Sequence, residues 1–192
     1  TSISIPSGVT EINEGVFRSC GSLTSITMSD NITSIGQEAF QRCTRLTSID
    51  IPTAVTSIGE SAFEHCSGLT SIDIPDSVMT IGKYAFEYCT GMTSCTIGSS
   101  VTSIGILAFS DCRSLTSVTV KAIIPPPLGE MAFRRTSRLT IYVPCQAYDS
   151  YMSSSGWSGL TIQCMPQYRT TSGETYCSGE TGYDKYVDVY SQ

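Results

Sequence analysis

LTSIDIPDSVMTIGKYAFEYCTG, Leu69 to Gly91, decides the fold because the chain repeats it. One step upstream stands LTSIDIPTAVTSIGESAFEHC (Leu46–Cys66) and one step downstream MTSCTIGSSVTSIGILAFSDC (Met92–Cys112), each displaced by 23 residues. Phe17, Phe40, Phe63, Phe86 and Phe109 keep that spacing, and so do Cys20, Cys43, Cys66, Cys89 and Cys112. Self-similarity at a fixed period outranks any local motif, so the chain is a repeat array.

Each stretch of the unit has a physical reading. Ile72 and Ile74 alternate with Ser71 and Asp73, the period of a half-buried strand whose hydroxyl and carboxylate face water. Pro75 ends the ladder, Asp76 and Ser77 supply turn chemistry, and Val78 to Ile81 form a second short extended piece. Gly82 then turns a corner. The spacing of Ala85, Phe86 and Cys89 predicts a helical turn that buries Phe86 and Cys89 and turns Lys83, Glu87 and Tyr88 outward.

One such unit is too small to offset its own ordering entropy, so neighbours must stack. The strand positions run through Ile3 and Ile5, Ile26 and Met28, Ile49 and Ile51, Ile72 and Ile74, Cys95 and Ile97, Val118 and Val120, and Ile141 and Val143, which predicts about seven coils. The first coil opens in mid-repeat, as expected of a mature or excised piece of something longer.

LTSIDIPTAVTSIGESAFEHC, with its neighbours in register, resembles the BspA-type leucine-rich repeats of surface proteins of oral and gut anaerobes. The resemblance covers Thr1 to about Pro166. It implies an α/β repeat fold: a right-handed leucine-rich-repeat solenoid with parallel strands on the concave face and short helical turns on the convex side. It also implies an extracellular or cell-surface protein of adhesin type.

After Val120 the rhythm slips, since KAIIPPPLGEMAF puts Phe133 24 residues after Phe109, and three prolines predict an extended, unpaired rim. LTIYVPCQAYDSYMSSSGWSGLTIQCMP replaces turn and helix with an aromatic segment in which a helix around residues 147–152, with Tyr148, Tyr151 and Trp157, caps the core. The expected organisation is a solenoid over 1–143, a cap over 144–166 and a tail over 167–192 that begins a following β module, KYVDVYS alternating as a strand.

A net charge of −6 argues against a nucleic-acid partner, and no run of apolar residues is long enough for a membrane-spanning helix. His65, the chain's single histidine, fills an offset held elsewhere by Ser19, Arg42, Tyr88 and Asp111, so it reads as an ordinary surface residue rather than a metal ligand or base. The periodic cysteines read as buried free thiols. Cys145 and Cys164 flank the cap and are the candidate disulfide, while Cys177 lies in the tail without an evident partner. No cofactor and no catalytic residues are expected. Asn31–Thr33 (NIT) and Asp76–Val78 (DSV) match glycosylation signals, each only three residues long.

The exposed strand row carries the candidate binding residues: Ser25, Thr27, Ser48, Asp50, Ser71, Asp73, Ser94, Thr96, Ser117, Thr119 and Tyr142. Asp50 and Asp73 would stand on neighbouring strands, as a solvated pair or a shared calcium site. Three functions follow. The row holds an extracellular protein or glycan; or the array is a structural spacer for a downstream module; or Tyr142, Tyr148, Tyr151 or Trp157 binds carbohydrate. End-to-end association of truncated solenoids is a further expected contact.

Overall fold

The computed structural model describes residues 1–165 and two short strands, Tyr176–Ser178 and Tyr183–Lys185, which pair antiparallel. KYVDVYS, apart from Lys185, lies outside the described residues, as does most of the expected β module.

Residues 1–165 form a parallel-strand solenoid of about seven turns. In chain order the strands are β1 (Ser2–Ser4), β2 (Glu11–Ile12), β3 (Ser25–Thr27), β4 (Ser34–Ile35), β5 (Ser57–Ile58), β6 (Ser71–Ile74), β7 (Thr80–Ile81), β8 (Ser94–Ile97), β9 (Ser103–Ile104), β10 (Ser117–Val120), β11 (Thr140–Val143) and β12 (Ile162–Cys164). One face is the sheet β6-β8-β10-β11-β12, preceded by the pair β1-β3; the other is β2-β4-β5-β7-β9. Every pairing within these sheets is parallel, and between successive repeats the register is one full unit, as in Ile72 with Cys95 and Cys95 with Val118.

That register turns the repeated residues into ladders. Ile72, Ile74, Ile81, Leu69 and Phe86 are all buried, and so are their equivalents one coil away. From Phe17 to Phe133 the rings stack with centroids 5.1–5.3 Å apart and planes within 10°. Burying each ring contributes about 2–3 kcal/mol.

The turn after the glycine differs from the predicted helical turn. Its N–H groups alternate between two kinds of acceptor. Ala39, Gln41 and Cys43 donate three residues back at 3.1–3.4 Å, whereas Glu38, Phe40 and Arg42 donate to Glu60, Ala62 and Glu64 of the next coil at 2.7–2.8 Å. Aiming every second N–H along the stack requires left-handed backbone at two positions per coil. Tyr84 (φ 57°) and Tyr88 (φ 59°) adopt it, as do their equivalents, glycine filling the position only at Gly15. Each such residue costs about 1–2 kcal/mol, which the inter-coil hydrogen bond offsets.

Gly82 is required for space, not for its φ. A Cβ there would lie 2.5 Å from the carbonyl carbon of Gly59, and the same clash recurs at Gly59 against Gly36 and Gly105 against Gly82. The coils approach backbone to backbone along this line.

Three further differences are local. Residues 48–51 keep the in–out burial but are not a strand, so this face is divided between the pair β1-β3 and the sheet that begins at β6, and Asp50 forms no strand pair with Asp73. The proline rim is paired after all: prolines lack only the donor, and the carbonyls of Pro126 and Pro127 accept from Trp157 Nε1 at 2.8 Å and Ile104 N at 3.1 Å. At the closing end, a 3₁₀ turn (Cys145–Ala147) leads into α1 (Tyr148–Ser153), and the fully buried Tyr151 and Trp157 continue the phenylalanine stack, Trp157 lying 6.2 Å from Phe133.

Gly82→Ala is expected to lower the unfolding free energy by about 2–3 kcal/mol in urea titration, while Gly159→Ala, with nothing within 4 Å, changes it by less than about 0.5 kcal/mol. Arg42 is exposed at φ 61°. Arg42→Gly therefore gains up to about 1 kcal/mol in the same assay and Arg42→Val loses more than that.

Candidate functional site

Along each strand of the β6-β8-β10-β11-β12 sheet, alternate side chains enter the core and the others face out. The outward residues fall into two straight rows. One is Ser71, Ser94, Ser117 and Thr140; the other is Asp73, Thr96, Thr119, Tyr142 and Gln163. Neighbours in a row are one strand spacing apart, about 4.8 Å.

Seven of the eleven residues expected from the sequence thus stand in this sheet. Ser25 and Thr27 pair with Ser2 and Ser4 in the separate leading pair β1-β3. Ser48 and Asp50 are exposed but lie in the unpaired segment between the two sheets. Gln163 extends the row past Tyr142. Its signal was present, since LTIQC (Leu160–Cys164) echoes LTIYV (Leu139–Val143), but the altered spacing hid it.

Hydroxyls on this face divide by position. Thr47, Thr70, Thr93 and Thr116, just before the strands, donate their hydroxyls to the backbone carbonyl of the preceding coil's threonine at 3.1–3.4 Å, so they hold the stack. By contrast, the side chains of Ser71, Ser94, Thr96, Ser117, Thr119 and Tyr142 make no hydrogen bond among the described residues. Their donors and acceptors face outward unengaged.

The turn face is built differently. Gln41 Nε2 donates to Glu64 Oε2 at 2.7 Å, His65 Nε2 lies 3.5 Å from Glu64 Oε1, and the His65 ring stacks on Tyr88 at 4.6 Å with planes 2° apart. His65 is therefore a partly exposed surface residue braced by its neighbours. Burial, with the Glu64 and Asp111 charges near it, raises the Glu87 carboxyl above its ordinary range. Burial would also raise Asp111, but hydrogen bonds from Arg113 and Arg135 outweigh it and hold that carboxyl low.

Each repeat cysteine from Cys43 to Cys112 donates its thiol to the phenylalanine carbonyl of the preceding coil at 3.1–3.2 Å. Burial pushes Cys43 up to about 11 and raises Cys66, Cys89 and Cys95 as well. The thiolates that metal binding or nucleophilic attack would need are thus suppressed. The expected Cys145–Cys164 disulfide does not form: Cys145 is disulfide-bonded, yet Cys164 is a free thiol. Cys164 stands level with Val143 in the ladder, whereas Cys145 has passed Pro144 into the 3₁₀ turn. The side chain of Cys177 lies outside the described residues.

Of the four aromatics expected to meet carbohydrate, Tyr151 and Trp157 are closed to it, while Tyr142 and Tyr148 are half-buried. Tyr151 and Trp157 are completely buried, the Tyr151 hydroxyl donating to the Ala122 carbonyl at 2.8 Å. Away from the strand rows, Ile123, Ile124 and Pro125–Pro127 line an apolar groove of about 390 Å³ against Val101. Among the described residues no helix is long and apolar enough to cross a membrane.

A family model for the BspA type leucine rich repeat region matches residues 1–116 and 34–153, with six copies. Among solved structures, a leucine rich repeat protein of T. pallidum is 30% identical with a TM-score of 0.66, over 74% of this chain and 68% of the other. The pneumococcal vaccine antigen PcpA is 19% identical with a TM-score of 0.67, over 86% of this chain and 42% of the other. No curated protein matches the chain.

In the folded protein, Cys43, Cys66, Cys89, Cys95 and Cys112 are expected to resist a thiol-specific aromatic disulfide reagent at neutral pH, while the half-buried Cys20 and Cys164 react first. Adding denaturant releases the five together, as expected if one cooperative stack protects them.

Proposed function

Because the chain belongs to the BspA type leucine rich repeat family, we propose that it is a non-enzymatic binding scaffold of bacterial surface-antigen type, working outside the cell. Its partner is an extracellular protein or glycan held against the strand face. The observation that carries this reading is the pair of aligned rows ending at Thr140 and Gln163, whose hydroxyl, amide and carboxylate groups are repeated at strand spacing and, apart from the ladder-forming threonines beside them, unengaged.

The chemistry of the rows limits the kind of partner. Serine and threonine each offer one donor and two lone pairs, so a partner with many hydroxyls or free backbone groups can match them residue by residue. Tyr142 supplies the one aromatic side chain in the rows. Hot spots of protein interfaces usually hold several aromatic or arginine anchors, so this face binds through many modest contacts rather than one deep one. Backbone ladders fix the rows before any partner arrives, which lowers the ordering cost of binding. Similarity to a vaccine antigen supports a surface-exposed setting.

The test is a binding screen of the chain against immobilised extracellular-matrix proteins, mucins and glycans, beside a Ser94→Ala/Thr96→Ala/Ser117→Ala/Thr119→Ala variant. Each hydrogen bond lost costs about 0.5–1.5 kcal/mol, so affinity is expected to fall at least about tenfold with the melting temperature unchanged. A partner bound equally well by the variant would move the site off the strand face. Silence across the panel would favour the spacer reading.

A further inference from the structure

Charge is distributed unevenly along the solenoid. Residues 1–112 carry four Lys or Arg against eleven Asp or Glu, a formal charge of −7. Residues 113–138 carry five Lys or Arg against Glu130 alone, a formal charge of +4. Four of those five are arginines on the turns of two adjacent coils: Arg113 on one, and Arg134, Arg135 and Arg138 on the next. The coils are joined there, Asp111 N donating to the Arg134 carbonyl at 2.9 Å.

The arrangement is built around one carboxylate. Asp111, its side chain only 3% exposed, receives Arg113 through Nη2 at 2.9 Å and Nε at 3.2 Å, and Arg135 through Nη1 at 3.2 Å, all on the same oxygen. Two guanidinium groups are thereby held side by side although their charges repel. One negative charge cannot neutralise both, and the arginine side chains remain 63% and 55% exposed. Arg113 Nη1 and Arg135 Nη2 make no hydrogen bond among the described residues. Arg134 and Arg138 are both exposed and form no salt bridge among the described residues, although Arg134 stands near enough to Glu87 for its charge to act on that carboxyl. Four arginines face Asp111 and Glu87 at this corner, so in a chain with more acids than bases they form a surface with positive charge to spare.

We propose that this corner of the turn face binds a sulfated polysaccharide. Guanidinium forks match the planar oxygen pairs of sulfate and carboxylate groups, and their weak hydration lowers the cost of contact. The four arginines project from an open surface, which suits a chain bearing charges at intervals better than a single ion needing an enclosing pocket. Exposed Ser114 and Ser137 lie among them and can meet sugar hydroxyls, for which an acidic polypeptide has fewer counterparts. The strongly acidic coils upstream confine a polyanion to this corner. The site is separate from the strand rows, so either assignment can fail without the other.

The experiment is a biosensor titration of the whole chain with size-defined heparin oligosaccharides over a salt series, beside Arg134→Ala/Arg138→Ala, the strand-row alanine variant and a poly-glutamate probe. Neither the Arg134 nor the Arg138 side chain bonds to Asp111, and the Arg134 carbonyl that accepts from Asp111 N is kept in alanine, so the double variant keeps its fold, which its melting temperature checks. Wild type and the strand-row variant bind alike, and the double variant loses roughly tenfold or more in affinity with a shallower salt dependence. Equal affinity in the double variant, absence of heparin binding at low salt, or tighter binding of poly-glutamate would each overturn the proposal, the last pointing to an acidic protein instead.

Discussion

Every repeat is positioned by backbone hydrogen bonds that run from one coil to the next, and the rest of the structure follows from keeping them in register. A strand cannot shift by one residue without exchanging its buried and exposed sides. Here the same demand applies around the whole circumference, because strand, corner and turn all donate along the stack. Phe86 N reaches the Ala108 carbonyl while Gly82 N reaches the Ile58 carbonyl, so one coil is tied to both neighbours at different points of its path. Identical steps then place identical side chains over one another. Phenylalanine rings stack, thiols meet carbonyls, and a Cβ at Gly82 would strike the backbone below it.

A regular stack has two consequences for function. It leaves the outward strand residues as fixed rows whose polar groups the core does not use. It also makes departures from the repeat conspicuous, and they concentrate near the closing end. The proline rim accepts hydrogen bonds from Trp157 and Ile104, and Trp157 covers the last phenylalanine with Tyr151 set edge-on against it. The coil of that rim and the coil before it carry the arginines gathered on Asp111. Binding chemistry that repeats is spread thinly over many coils, and chemistry that does not repeat sits where the repeat ends.

Much of this was legible in the sequence because burial writes a period. Alternation at Ile72 and Ile74 predicted the strands, and the 23-residue step predicted their parallel register. The turn was misread because an Ala-Phe-x-x-Cys spacing buries the same side chains whether the backbone is helical or alternates with left-handed residues. Only the hydrogen-bond partners, which leave no mark on side-chain pattern, separate the two. Gly82 was assigned to a corner for a similar reason: one sequence does not distinguish a glycine needed for φ from one needed for space. The disulfide assignment failed because proximity in the chain says little once Cys164 stands level with Val143. No periodicity foretold the arginine pair, which depends on Asp111 and Arg135 falling on one rung of adjacent coils.

The claim that inter-coil hydrogen bonds organise the turns is tested most directly by native-state amide hydrogen exchange, residue by residue, at Tyr84, Phe86 and Tyr88. These N–H groups bond to Ile106, Ala108 and Ser110 of the next coil at 2.7–3.0 Å, so they should exchange in the slow class together with the strand amides of β6 and β8. A helical turn beginning after Gly82 would leave Tyr84 and Phe86 among its first, unpartnered N–H groups. Fast exchange at those two residues with slow exchange in the strands would contradict the account.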